Sequence, residues 1–297
     1  MNERPNYMKL AWDDVRHSQG WQSKGLIFGL LSFVPVFGPM VLYGYAYGWA
    51  RDVAWGVREP LPRRVFGNED GRLYSRGFYV FVLFFVCGLI PMVASSLLAG
   101  ITGMHGVAFL GFWQGHGMMP LAWFSSSIGL VTFVLTIALS LAVFLFAVVG
   151  SVRIALYDRM SAGFQFGKIW AMIRRDTHGI MGILGRTVLA IALIIVASCV
   201  VFLLVALLAA LFGAILFGGL SGLSHYDSHG IGLMLLVMAF VGIMLLAFAA
   251  VGVLCAAASS CVALVVARAA GLWVYQFDVA SWRGQDDPLP FETDPRV

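Results

Sequence analysis

Five apolar blocks constrain this chain more than any other feature, because each is long enough to cross a lipid bilayer as a helix. About 20 apolar residues suffice for that crossing. The blocks cover residues 25–50, 77–100, 121–150, 186–219 and 231–267. A bilayer offers no hydrogen bonds to bare backbone, so only helices or closed barrels span it, and unbroken apolar runs lack the alternation of barrel strands. The blocks predict an all-α integral membrane protein.

Charged residues are scarce, at 11% of the chain against about 25% in ordinary soluble domains. So few charges exclude a soluble protein of this length. The cysteines Cys87, Cys199, Cys255 and Cys261 lie inside the apolar blocks without metal-ligand or disulfide spacing. We interpret them as small buried hydrophobic residues.

The 19 Lys and Arg residues are distributed very unevenly along the chain. Residues 1–24 hold four, 51–76 six, 153–186 six and 268–297 three, whereas the loops 101–120 and 220–230 hold none. Cationic residues of short loops stay on the cytoplasmic side. We therefore predict a bacterial plasma (inner) membrane protein with cytoplasmic N- and C-termini and two external loops free of Lys and Arg.

The first block, residues 25–50, has basic flanks on both sides, so a simple crossing would export one of them. Its middle contains Pro35, Gly38 and Pro39, which interrupt a helix and permit a tight bend. We predict a re-entrant or interfacial helical hairpin that enters and leaves from the cytoplasm. A kinked span with an external N-terminus is the competing interpretation. The blocks 77–100, 121–150, 186–219 and 231–267 are the four predicted transmembrane helices.

The segment 159–175 has the spacing of an amphipathic helix. Apolar side chains recur at i, i+3, i+4 and i+7, at Phe166, Ile169, Trp170 and Ile173, with Lys168, Arg174 and Arg175 largely off that face. This pattern predicts a basic amphipathic cytoplasmic helix on the inner leaflet, where each cation would favour anionic lipid by about 1 kcal/mol. A cytoplasmic N-terminal tail (1–24) and an unfolded C-terminal tail (276–297) would flank a membrane domain over residues 25–275.

Short motifs at the cytoplasmic boundaries resemble those of a known family. Gly44, Tyr45 and Arg51 follow the interrupted first block, then come Leu61-Pro62 and Gly77, and later Phe164-Gln165-Phe166-Gly167 with Ile173 and Arg174. Over roughly residues 20–275 the chain resembles the domain-of-unknown-function 4013 family of bacterial and archaeal multi-pass membrane proteins. The resemblance implies a prokaryotic multi-pass protein and supplies no catalytic residue. Gly44, Tyr45, Arg51, Pro62, Gly77, Phe164 and Phe166 are motif positions without a known role. Arg63 and Arg64 replace acidic residues of the family pattern, which puts a shared role of that loop in doubt.

Histidines in the loops free of Lys and Arg are the weak candidates for a metal site. They are His105 and His116 in one loop and His225 and His229, with Asp227 between them, in the other. Imidazole beside the thioether of nearby methionines suits copper, but glycine-rich loops also carry incidental histidines. The predicted set of metal ligands, catalytic residues and cofactors is therefore empty.

The stretches 77–100, 121–150, 187–219 and 231–267 contain no Asp, Glu, Lys, Arg or His. This bears on function, because ion-coupled transport normally needs ionisable residues inside the bundle. No nucleophile–base set or phosphate-binding loop occurs in the sequence. We predict a non-enzymatic multi-pass membrane protein that binds the bilayer, especially anionic lipid at the inner leaflet, or a partner membrane protein, and no nucleic acid. The alternative is a permease or channel subunit for a neutral or amphipathic solute.

Overall fold

A computed structural model describes residues 5–67, 70–101, 127–221 and 230–277 of the chain. These residues form helices joined by turns, and no strand occurs among them. The elements are α1 (Tyr7–Arg16), α2 (Trp21–Leu31), α3 (Phe37–Ala54), α4 (Leu73–Ile101), α5 (Ser127–Tyr157), a 3₁₀ turn (Met160–Phe164), α6 (Phe166–Arg175), α7 (Thr177–Ser221) and α8 (Gly230–Tyr275). The all-α prediction is confirmed.

Four of these helices are long and apolar enough to cross a membrane. Their candidate spans are Leu73–Leu98, Leu130–Tyr157, Thr177–Ala214 and Val237–Tyr275. They correspond to the last four apolar blocks, but α7 begins nine residues before block 186–219, and α8 continues eight residues past block 231–267. One block begins at Arg186 and the other ends just before Arg268, whereas the helices extend past both residues. A block boundary placed at a charged residue therefore underestimates the length of the helix.

The four long helices form two antiparallel pairs. In the first, Phe84 of α4 contacts Phe144 of α5, and Arg76, nearer the start of α4, pairs with Asp158 just after α5. In the second, Phe202 of α7 stacks on Phe248 of α8, and Phe212, further along α7, stacks on the earlier residue Phe240 of α8. The starts of α4 and α7 therefore lie at the same end of the bundle as the ends of α5 and α8. We call this the basic end, because the segments that meet there carry all the Lys and Arg residues of the described chain.

Helix α2 begins at the basic end and runs along α8 toward the middle of the bundle. Gly25 of α2 lies against the Cys261 sulfur, and Gly29 lies against the backbone of Val253 and Ala257. The falling residue numbers along α8 show that the two helices are antiparallel. Glycine at both positions lets the α2 backbone approach α8 closely.

Residues 32–36 then reverse the chain, and α3 returns to the basic end. The turn lies beside Gly252 of α8, where a Cβ would stand 3.5 Å from the Phe33 ring. Val36 has a φ of 66°, a strained conformation for a β-branched residue. At the other end of α3, Ala50 lies against Gly271. In the structure, α2 and α3 thus run in opposite directions on either side of this turn, which lies beside about the middle of the candidate span in α8.

The buried side chains concentrate in the basic half of the bundle, where Trp49, Trp273 and Ile169 are almost fully enclosed. The central parts of α7 and α8 instead expose leucines such as Leu203, at 69%, and Leu246, at 72%. Large apolar side chains exposed in such numbers suit a hydrocarbon environment and not water. This surface supports the membrane class that the composition predicts.

The amphipathic segment 159–175 falls on the 3₁₀ turn and on α6. In α6, Ile169 and Ile173 are buried against the protein, whereas Trp170 and Phe166 are about half exposed and pack on Phe146 of α5. The predicted apolar face is thus divided between the core and the surface. Its place at the inner leaflet stays a prediction. Within the predicted N-terminal tail, α1 packs on α8 through buried residues at Met8, Ala11 and Val15.

Candidate functional site

Two glycines of the family-like motif meet where α3 crosses α4. A Cβ on Gly44 would overlap the Leu73 carbonyl oxygen, and a Cβ on Gly77 would overlap the Met40 carbonyl oxygen. Neither obstacle is the end of a flexible side chain, so only glycine fits this backbone-to-backbone contact. The contact fixes α4 relative to the hairpin and holds the start of α4 beside the loop that follows α3.

Side chains of α2 and α3 hold the loop of residues 55–67 by its backbone carbonyl groups. The Tyr45 hydroxyl donates a hydrogen bond to the Pro62 carbonyl at 2.7 Å, which joins two motif positions. The Trp49 indole N–H donates to the Glu59 carbonyl at 3.0 Å. The buried Lys24 ammonium donates to the Leu61 carbonyl at 3.4 Å. The loop is therefore folded onto the basic end instead of extending away from it.

An ion-pair network lies between this loop and the start of α4. Asp70 pairs with Arg76 and with Arg51, the latter at 3.0 Å between Nη1 and Oδ2. Arg76 also reaches Asp158 at the end of α5, at 3.3 Å. Burial acts to raise the pKa of Asp70, but hydrogen bonds from Arg76 and from the Arg72 backbone N–H outweigh it and lower this pKa to about 2. Asp70 is therefore ionised at neutral pH and joins α3 to α4, and Arg76 connects both to the end of α5.

A cavity of about 320 Å³ opens beside this network, and we call it the arginine cavity. It is lined by Gly48, Arg51, Asp52, Arg64, Asp70 and Arg76 together with the motif residues Gly44, Tyr45 and Pro62. The Arg76 side chain is only 2% exposed, and its Nε is a buried donor that has no acceptor among the described residues. Buried polar atoms normally have a hydrogen-bond partner, so this donor marks the cavity as a candidate binding site.

Arg268 organises a second buried network, on the α8 side of the loop. Its Nε donates to the Asp14 carboxylate at 2.8 Å, and its Nη1 donates to the Trp49 carbonyl at 3.2 Å. The guanidinium carbon lies 4.2 Å from the centroid of the Trp49 ring, within the range of a cation–π contact. This single side chain therefore connects α1, α3 and α8.

The other two motif positions lie away from the arginine cavity. Phe164 ends the 3₁₀ turn and packs against the core, and Phe166 begins α6 on the outer surface beside Phe146. Between them, Gln165 accepts a hydrogen bond from the buried Arg153 at 2.6 Å. The structure therefore brings together Gly44, Tyr45, Arg51, Pro62 and Gly77, and separates Phe164 and Phe166 from them.

A larger groove of about 610 Å³ lies between α1, α7 and α8, and we call it the α1 groove. Its walls are apolar, formed by side chains such as Ala190, Ile194, Ala258 and Val262. Lys9 and Arg186 line the same groove, and neither has a carboxylate partner in the described part of the chain. Trp12 and Trp21 also line it, with ring centroids 5.6 Å apart in an edge-to-face arrangement.

The family assignment rests on a match over residues 27–210 to the family model described as "Protein of unknown function (DUF4013)". That range covers more than half of the chain, from α2 into α7. The chain belongs to the DUF4013 family. This assignment confirms the resemblance seen in the motifs, over a shorter range than the predicted 20–275. No curated protein and no solved structure matches the chain.

The DUF4013 match contains the whole arginine cavity but only part of the α1 groove. All residues that line the cavity fall between Gly44 and Arg76, inside the match. Helix α1 and the α8 residues of the groove lie outside the matched range. The cavity is thus a feature of the family region, whereas the groove depends on segments that flank it.

The sequence analysis missed the residues that build the two networks. Arg76 and Arg268 were counted only among the cationic residues that indicate sidedness, Asp70 and Asp158 were given no role, and Asp14 was only part of a tail. The weak metal candidates His105, His116, His225, Asp227 and His229 lie outside the described residues, so that hypothesis stays a prediction. Among residues that the structure does describe, no group of three His, Cys, Asp or Glu side chains is arranged to hold a metal ion.

Proposed function

We propose that this DUF4013 protein is a non-enzymatic multi-pass membrane protein that binds anionic phospholipid of the inner leaflet in the α1 groove. The main support for the proposal is that the groove has apolar walls and two cations, Lys9 and Arg186. No described carboxylate neutralises either cation. An acyl chain would lie along α7 and α8, and a phosphate headgroup would be placed between the two cations.

Physical chemistry favours a lipid over a soluble ligand in this groove. Its walls belong partly to α7 and α8, whose surface is suited to hydrocarbon. Trp12 and Trp21 add indole rings, which accumulate at the boundary between headgroups and acyl chains. A cation near an anionic membrane surface contributes about 1 kcal/mol. Together these groups match a molecule with two apolar tails and one negative headgroup.

The proposal includes an orientation in which the basic end is cytoplasmic and the hairpin of α2 and α3 is re-entrant. Both ends of the hairpin lie at the basic end, and its turn lies beside Gly252, inside the candidate span Val237–Tyr275. A kinked span would instead bring the two ends of the hairpin to opposite ends of the bundle. Packing on α4 and α8 would satisfy the requirement that interrupted helix be covered by protein at membrane depth.

The orientation predicts that both flanks of the hairpin are inaccessible from outside the cell. Gln19→Cys and Arg58→Cys would be made separately in a background lacking the four native cysteines. We expect neither to react with a membrane-impermeant maleimide in intact cells and both to react after permeabilisation. Gln114→Cys, in a loop predicted to be external, is the positive control. Labelling of one flank in intact cells would establish a crossing hairpin and refute the re-entrant one.

The lipid proposal predicts that Lys9→Gln with Arg186→Gln weakens binding of phosphatidylglycerol roughly thirtyfold, since two contributions of about 1 kcal/mol are lost. Native mass spectrometry and thermal unfolding in phosphatidylcholine nanodiscs, with and without phosphatidylglycerol, measure this. Arg16→Gln with Arg174→Gln removes the same charge outside the groove and is expected to retain binding. Equal losses in the two double variants would show that only overall charge matters, which contradicts a site in the groove.

One feature of the fold favours the alternative function of a permease or channel subunit, namely the interruption between α2 and α3 near the middle of the bundle. Broken helices line solute sites in some transporters. In this chain, however, α3 and α4 are in backbone contact at Gly44 and Gly77, so that face of the hairpin offers no passage. The unpaired cations of the α1 groove favour the lipid proposal.

A further inference from the structure

We propose that the arginine cavity is a binding site for a phosphate group, held between Arg76 and Arg64. The cavity shares no lining residue with the α1 groove, so this site is independent of the proposed lipid site. Its ligand chemistry is an oxyanion, and the source is either a free phosphate compound or the headgroup of a lipid with a terminal phosphate.

The first observation is the incomplete hydrogen bonding of Arg76. Only its Nη2 reaches the carboxylates, at Asp70 and Asp158. Its Nε is buried and has no acceptor within the part of the chain that the structure describes. Its Nη1 lies over Gly48, where a Cβ would come within 2.5 Å of that nitrogen. A buried guanidinium N–H without an acceptor is costly, and an oxyanion in the cavity would supply the missing oxygen atoms.

The second observation is the charge balance of the cavity wall. Three arginines, Arg51, Arg64 and Arg76, face two carboxylates, Asp52 and Asp70. Both carboxylates are already engaged, Asp52 by Arg51 and Asp70 by Arg51 and Arg76. Arg64 has no carboxylate partner within the described ranges. Arg76 also reaches Asp158, so carboxylates balance the charges of Arg51 and Arg76, and Arg64 supplies the positive charge that would attract an anion.

The third observation is the size and position of the cavity. A volume of about 320 Å³ lies at the small end of the range for ligand sites, which begins near 300 Å³. It suits a phosphate group with a short substituent. The loop held by Tyr45 and Trp49 borders the cavity at the basic end, which the proposed orientation places in contact with the cytoplasm.

The test compares two neighbouring exposed arginines of the same loop. Arg64 lines the cavity and Arg63 does not, so Arg64→Gln and Arg63→Gln change the net charge equally. Purified protein in phosphatidylcholine nanodiscs would be titrated with inorganic phosphate at constant ionic strength and followed by calorimetry. We expect Arg64→Gln to weaken phosphate binding at least about tenfold, which is about 1.4 kcal/mol, and Arg63→Gln to change it less than twofold.

A second arm distinguishes the two sources of the phosphate group. Nanodiscs containing phosphatidic acid, which has a terminal phosphate, would be compared with nanodiscs of phosphatidylcholine alone. If Arg64→Gln weakens the binding of inorganic phosphate, the ligand is a free phosphate compound. If Arg64→Gln weakens only the binding of phosphatidic acid, the ligand is a lipid headgroup. Lys9→Gln with Arg186→Gln should leave either result unchanged. No Arg64-dependent binding in either arm, or equal effects of the two arginine substitutions, would overturn the proposal.

Discussion

Gly77→Ala is expected to lower the free energy of unfolding by about 3 kcal/mol and to remove most of the folded protein from detergent extracts. The new methyl group would overlap the Met40 carbonyl oxygen, which cannot move without separating α3 from α4. Overpacking of a tight contact costs about 1–3 kcal/mol, and backbone-to-backbone crossings lie at the upper end. Fluorescence-detected gel filtration after a temperature series measures the surviving folded fraction.

Gly88→Ala is the matched control on the same helix. A Cβ at Gly88 would meet nothing within 4 Å, and alanine favours a helix over glycine by up to about 1 kcal/mol. This variant should be as stable as the wild type or slightly more stable. Gly44→Ala should resemble Gly77→Ala, and the double variant should cost less than the sum, since both substitutions open one crossing. Equal stability of Gly77→Ala and Gly88→Ala would refute the crossing.

The fold class could be predicted from the sequence because it depends on short stretches of the chain. Each apolar block is long enough by itself to span a membrane, and Pro35 and Gly38 interrupt a helix whatever the rest of the chain does. The structure agrees with the predicted helical class and with four candidate spans. Motif resemblance also pointed to Gly44 and Gly77, but it could not give them a role. Their function is a contact between two helices, which no single segment contains.

Arg268 shows why the candidate sites were missed. An isolated arginine inside an apolar segment is costly, so the predicted span ends before Arg268. In the structure the helix continues, because Asp14 and two backbone carbonyl groups receive the guanidinium N–H groups and the Trp49 ring covers it. These partners come from 209 to 254 residues away in the chain. The adjacent acidic residues Asp13 and Asp14 in a segment that also carries four Lys and Arg residues were the available signal.

Replacement of Asp14, the carboxylate partner of Arg268, is the second substitution with a large expected effect on stability. Asp14→Leu should lower the free energy of unfolding by about 3 kcal/mol, because it leaves Arg268 buried without its carboxylate. The value is at the lower end of the 3–5 kcal/mol range for breaking a buried pair, since the Asp14 side chain is 40% exposed. Asp13→Leu is the matched control. Asp13 makes no side-chain ion pair in the described structure, so its replacement should change stability by less than about 0.5 kcal/mol.

The same variants link stability to the proposed lipid site. Helix α1 carries Lys9 and Trp12, and its ion pair with α8 runs through Asp14 and Arg268. Asp14→Leu should therefore weaken phosphatidylglycerol binding even in the folded fraction, whereas Asp13→Leu should not. Adding Arg268→Met removes the stranded charge, and we expect this double variant to recover stability without recovering lipid binding, because the pairing that orders α1 is still absent. Recovery of both properties would show that the pair serves folding alone and that α1 finds its place on α8 without it.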